Sequence, residues 1–174
     1  MKRVALVFAI ALPALVNAES MASFEKIVNS CKAAFAAEPS SKVFSDAERK
    51  MWTKRLGTPA TIRSGVRKKE SLTSPYAAHI EVTEASVTKA ATDEQAANAL
   101  EVSFKDGPIV RQTRRLNFVF QSKEGVWVLT SGSLGVASKK DGNSPYVENP
   151  MTTALSKDAF TSDPGPIKAC LPTK

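Results

Sequence analysis

The sequence predicts an α+β fold in which N-terminal helices pack on a curved antiparallel β-sheet meander, with an extended C-terminal tail. Three observations carry this expectation. Near the start, Phe24, Ile27, Val28, Cys31 and Phe35 form one helical stripe. From Ala60 the apolar period falls to two and is still two near Thr130. After Val136 the periodicity stops, and Pro145, Pro150, Pro164, Pro166 and Pro172 accumulate. Helices segregated on one face of an antiparallel sheet are one of the few stable layer solutions.

The most informative stretch is Arg111–Leu134. Leu116, Phe118 and Phe120 alternate with Asn117, Val119 and Gln121, and Trp127 and Leu129 alternate with Val126, Val128 and Thr130. With Ser122-Lys123-Glu124-Gly125 as the loop, Gln121 faces Val126, Phe120 faces Trp127 and Phe118 faces Leu129. All the large apolar residues then share a face, and a one-residue slip would break that match. A hairpin is expected here.

The remaining elements follow in order. The apolar stripe predicts a helix over 22–37, ended by Pro39. Ser45-Asp46-Ala47-Glu48 fits a capping box and predicts a second, short helix to about Arg55, stopped by Gly57 and Pro59. Ile62, Ser64 and Val66 read as a strand. Pro75 then breaks the pattern, and Tyr76, Ala78, Ile80 and Val82 read as the next. Leu100, Val102 and Phe104 suggest a third, closed by the turn Lys105-Asp106-Gly107-Pro108. Between these, Ser86–Ala97 is read as long strands with an irregular tip. Five sequential strands with one apolar face make a meander. A short helix is expected within 152–160 of the tail.

Composition bounds the compartment. Lys2-Arg3, the apolar run Val4–Val16 and the small-residue site Val16-Asn17-Ala18 form a secretory signal peptide pattern. The expected division is residues 1–18 as leader, 19–137 as the α+β domain and 138–174 as a tail tied to it. The apolar run is shorter than the roughly 20 residues of a membrane span, so no spanning segment is expected. Loss of Lys2 and Arg3 takes the net charge from +7 to +5. Localisation is expected to be the bacterial periplasm, or outside the cell. In that setting Cys31 and Cys170, the only two cysteines, are expected to form a disulfide. Closing a loop of about 140 residues contributes at most roughly 5 kcal/mol in the chain-entropy treatment.

Chemistry-bearing motifs are few. His79 is the one histidine, so no metal site and no cofactor are expected. Its parity places it opposite the apolar face, as a solvated strand histidine. No Gly-rich phosphate loop or paired carboxylates occur, and Ser71, Thr73 and Ser74 read as turn residues around Pro75. The better candidate is cationic. Arg63, Arg67, Lys69, Arg111 and Arg115 are all odd-numbered, opposite the apolar residues, and would form a basic patch on the exposed sheet face. Such a patch suits an acidic protein, a lipid head group or nucleic acid; nucleic acid is the weakest of the three, because the chain is expected to be exported and no aromatic residues interleave with the cations. A solubilising coat is the plain alternative. Tyr76, Phe104, Phe118, Phe120 and Trp127 are expected on the apolar face, as core or as the wall of a pocket.

Helices followed by a curved antiparallel sheet resemble the cystatin-like and nuclear-transport-factor-2-like architectures. The run Val66-Arg67-Lys68-Lys69-Glu70-Ser71-Leu72-Thr73-Ser74-Pro75-Tyr76 resembles the V-x-K-x-x-S-L-x-S-P-Y segment of small exported bacterial proteins of uncharacterised role. That resemblance implies a fold and carries no catalytic residue. Together the observations lead to the expectation of a non-enzymatic exported protein that binds another macromolecule, in a toxin-neutralising or envelope-accessory role. The alternative is a small-ligand or enzymatic role in a pocket of the apolar face. What covers Trp127 and Phe118 discriminates the two.

Overall fold

The computed structural model describes residues 12–38, 40–48, 50–149, 153–161 and 165–173. Lys2-Arg3 and most of the apolar run Val4–Val16 lie outside them. A single long helix, α1 (Leu12–Ala36), packs on an open antiparallel sheet of eight strands. The helix begins ten residues earlier than its apolar stripe requires and runs unbroken past Ala18. Phe24, Val28, Cys31 and Phe35 are buried along it, as their spacing demands.

The sheet is built around one strand. β4 (Tyr76–Ala91) is 16 residues long. Along one edge it pairs first with β3 (Thr61–Lys68) and then with β2 (Met51–Gly57), which lie end to end; along the other it pairs with β5 (Ile109–Gln121). β6 (Val126–Lys139) pairs with β5 in the expected hairpin register: Gln121 with Val126, Phe120 with Trp127, Phe118 with Leu129. The register then shifts, so that Asn117 faces Ser131 and Thr130 is left over as a bulge. Bulges bend a strand and re-aim its side chains.

Two expected elements are replaced. The second helix does not form. Instead β1 (Ser41–Asp46) and β2 make a hairpin, with Asp46 opposite Met51 and Lys50 left-handed at φ 53°. The Ser45-x-x-Glu48 signal sits at the hairpin's turn. Far-off residues decide this: β4 extends past Ala85, and its unpaired backbone groups there are satisfied by pairing Leu56 with Val87 and Trp52 with Ala91. The expected strand Leu100–Phe104 is also absent. β5 takes the place beside β4 along Ala77–Ser86, where the expected strand would have paired. In its stead Asp93 caps a short helix, α2 (Glu94–Ala99), its carboxylate accepting from Ala96 N at 2.7 Å. Lys54 Nζ binds the carbonyls of Asn98 and Leu100. Ser86–Ala97 is therefore strand to Ala91 and then helix, where an irregular tip is expected. Phe104 is only half-buried, in the turn after α2, and is not part of the core.

The tail is more structured than its composition suggests. β7 (Val147–Glu148) and β8 (Thr153–Leu155) add to the edge of β6. α3 (Lys157–Thr161) and a 3-10 turn (Pro166–Cys170) carry Phe160, Ile167 and Cys170 into the core. Cys170 is bonded to Cys31, with Cα atoms 4.3 Å apart. Closure of this core is tight. Phe160 lies on Gly132, where a Cβ would stand 1.9 Å from its ring.

Candidate functional site

The apolar face is filled. Phe118 and Trp127 are 1% and 3% exposed. Phe24 of α1 lies on both, its ring centroid 5.9 Å from Phe118 and 4.9 Å from Trp127. Phe120 joins Trp127 at 5.4 Å, and the half-buried Tyr76 borders Phe120 at 6.4 Å. The indole Nε1 of Trp127 donates to the Ser20 carbonyl at 2.9 Å, so the polar edge of the largest core residue is satisfied by the helix that covers it. Trp127, Phe118 and Phe120 are core, and Tyr76 packs at its margin.

The opposite face carries the polar constellation. Antiparallel pairing places side chains in rows across the sheet. One row is Arg63, Glu81, Arg115 and Ser133; the next is Gly65, His79, Asn117 and Ser131; the third begins Arg67, Ala77, Val119. Because the third expected strand is missing, β3 and β5 both flank β4. Arg63 and Arg115 are then second neighbours, about 10 Å apart at the backbone. In a five-strand meander they would be farther apart.

A groove of about 550 Å³ lies along these rows. Arg67, Lys69 and Arg115 line it, with His79 and Asn117 in its middle and Thr130 and Ser131 on the β6 side. The bulge explains the last two. Strict alternation would send one of them inward, but both are exposed. Thr130 Oγ1 donates to the Asn117 carbonyl at 3.0 Å, and Asn117 Nδ2 donates to Ser131 Oγ at 3.1 Å. His79 is half-buried, with its ring over Gly65, and its nitrogens have no hydrogen-bond partner among the described residues.

These cations lack a close ion pair. Arg63, Arg67, Lys69 and Arg115 make no ion pair within 4.0 Å among the described residues, although Glu81 sits between two of them. Some other cations of the sheet are paired. Arg114 binds Glu84 at 2.8 Å, and Lys89 reaches Asp106 at 3.5 Å. Arg111, expected in the patch, lies on the same face four residues along β5 from Arg115 but does not line the groove. Its guanidinium pairs with Glu148 and stacks 4.2 Å over the Tyr146 ring, holding the tail against β5.

The groove's lining is cationic and polar. Ser131 Oγ is held by an amide and has no base beside it. No group of His, Cys, Asp or Glu among the described residues could hold a metal ion. Parity alone selected the cations. It could not select Gly65, Asn117, Thr130 or Ser131, because their convergence depends on which strands pair and on a bulge. At the β3 end, the loop displays Leu72 at 99% exposure while Ser71 Oγ accepts from Ser74 N and Thr73 O accepts from Ser122 N. No helix among the described residues is long and apolar enough to cross a membrane. No family model, curated protein or solved structure matches the chain.

Proposed function

We propose that this is an exported, non-enzymatic binding protein that recognises an acidic protein through the outer face of its sheet. One observation carries the reading: Arg67, Lys69 and Arg115, none of them ion-paired among the described residues, converge on an open polar groove. Unpaired cations on a concave surface raise the local concentration of an acidic partner and orient its approach. Export is supported by the leader pattern of residues 1–18 and by the Cys31–Cys170 bond, which persists in oxidising compartments. A periplasmic partner-binding or toxin-neutralising role fits somewhat better than envelope assembly. The single helix across long antiparallel strands supports a cystatin-like fold more than a nuclear-transport-factor-2-like one. Against the pocket alternative stands the burial of Phe118 and Trp127 beneath Phe24.

The test replaces Arg63, Arg67, Lys69 and Arg115 with serine, with Arg111→Ser as the control. The partner is crosslinked in a periplasmic extract, identified, purified and titrated against each variant at several salt concentrations. The quadruple variant should keep its urea midpoint, since exposed charges contribute about 0–1 kcal/mol each. It should bind at least about tenfold more weakly and with a shallower salt dependence. Unchanged affinity and salt response would reduce this face to a solvated surface.

A further inference from the structure

Building on that reading, we infer that the groove takes an extended acidic segment of the partner, lying along the strands, with two carboxylates four residues apart. The cations stand at the two ends of the groove. Arg67 belongs to one ladder row, with Lys69 just beyond it; Arg115 belongs to the row four residues away. At about 3.3 Å per strand residue, these rows are roughly 13 Å apart. Between them lies a row with no fixed charge, Gly65, His79, Asn117 and Ser131.

An extended segment has the same rise and the same two-residue period as the sheet beneath it. Carboxylates at positions i and i+4 therefore stand about 13 Å apart on one side, each level with a cationic row; Arg67 on β3 and Arg115 on β5 flank β4 at about 5 Å to either side, within reach of their long side chains. A helical segment brings the same two positions within about 6 Å along its axis and spans less than half the distance. The residue midway along the segment meets the imidazole of His79 and the amide of Asn117, which favours a small or polar side chain there. Ala77 keeps the floor low toward the Arg67 end, while the His79 ring covers Gly65.

Other anions fit less well. The lining includes no Tyr or Trp, and Phe118 turns its ring into the core, which leaves the single imidazole of His79 for a base to stack on, short of the series of rings a nucleic-acid strand uses. A bilayer is flat, and these cations line a concavity. Glu81 lies between Arg63 and Arg115 and lowers the potential at that end, so the Arg67–Lys69 end is the stronger electrostatic anchor.

The oxidised, isotope-labelled protein is titrated by NMR with a glycine–serine peptide bearing two glutamates four residues apart. Comparators are the same peptide with adjacent glutamates, its glutamine analogue, inorganic tripolyphosphate and phosphatidylglycerol vesicles. The expected result is amide shifts at Gly65, His79, Asn117 and Ser131, at least about fivefold tighter binding than the adjacent-glutamate peptide, and none with glutamine. Arg67→Ser and Arg115→Ser should each erase the spacing preference. Equal affinity for both spacings, absence of binding, shifts confined to other surfaces, or tighter binding of tripolyphosphate or vesicles would overturn the inference. If the peptides fail while the purified partner still needs the four cations, the spacing inference falls and the wider reading stands.

Discussion

The imidazole of His79 lies so close over Gly65 that a Cβ on residue 65 would stand 2.7 Å from His79 Cε1. The two residues are direct partners across β3 and β4. Glycine in a strand interior is unfavourable on its own account and often marks a close approach. Here it lets the imidazole pack against the β3 backbone in the middle of the groove. Gly65→Ala is expected to lift the ring away from the floor. Imidazole resonances should move, partner affinity should fall, and the urea midpoint should change little. Unmoved imidazole resonances would show that the ring is not held by this contact.

The two faces of the sheet differ in what they contribute to stability. Trp127→Ala removes a 3%-exposed ring and a hydrogen bond to the Ser20 carbonyl, and should cost about 3–5 kcal/mol. His79→Ala removes a half-buried ring with no hydrogen bond among the described residues and should cost far less. Urea unfolding of the pair tests this, and equal midpoints would be incompatible with the burial described.

Gly132 tests whether the tail is part of the core. A methyl group there would overlap the ring of Phe160, which is 2% exposed and has little room to yield. Gly132→Ala should destabilise by roughly 1–3 kcal/mol and expose the tail to protease. A wild-type melting curve with intact α3 protection would mean that Phe160 can repack cheaply.

Reduction of Cys31–Cys170 should act on the same region. The bond spans 139 residues of sequence and joins α1 to the tail's last turn. Reductant should lower the melting temperature, with a loss of up to roughly 5 kcal/mol in the chain-entropy treatment. The untreated, denatured protein should show no free thiol. Two thiols before reduction would rule the bond out.

Asp93 gives a pH signature at α2. The Ala96 N–H and then the Thr92 hydroxyl donate to its carboxylate, which lowers its pKa below the ordinary 3.8. A depressed carboxylate stabilises the fold above the unfolded-state value, and that contribution is lost as pH falls through the folded value. The Ala96 amide resonance should therefore titrate below pH 3.8 as α2 loosens. Asp93→Asn should abolish that titration. Persistence of the same titration in the variant would assign it to another group.

The elements that sequence alone determined are those in which a local pattern leaves one solution. The stripe Phe24, Val28, Cys31 and Phe35 can bury only one helix face. The hairpin Phe118–Phe120 against Trp127–Leu129 has only one register that keeps large residues together. Two cysteines allow one intramolecular pairing. Tertiary structure decided the rest, because the deciding partners are distant in sequence. The capping-box signal at Ser45 loses to the unpaired edge of β4 beyond Ala85. The alternation at Leu100–Phe104 yields no strand, because β5 takes its place beside β4 along Ala77–Ser86. The absence of that strand places β3 and β5 on either side of β4, and the bulge at Thr130 turns two hydroxyls outward beside them. Parity shows that Arg67, His79 and Arg115 face away from the core, but only the pairing of distant strands, whose backbone hydrogen bonds must all be satisfied together, brings them into one groove.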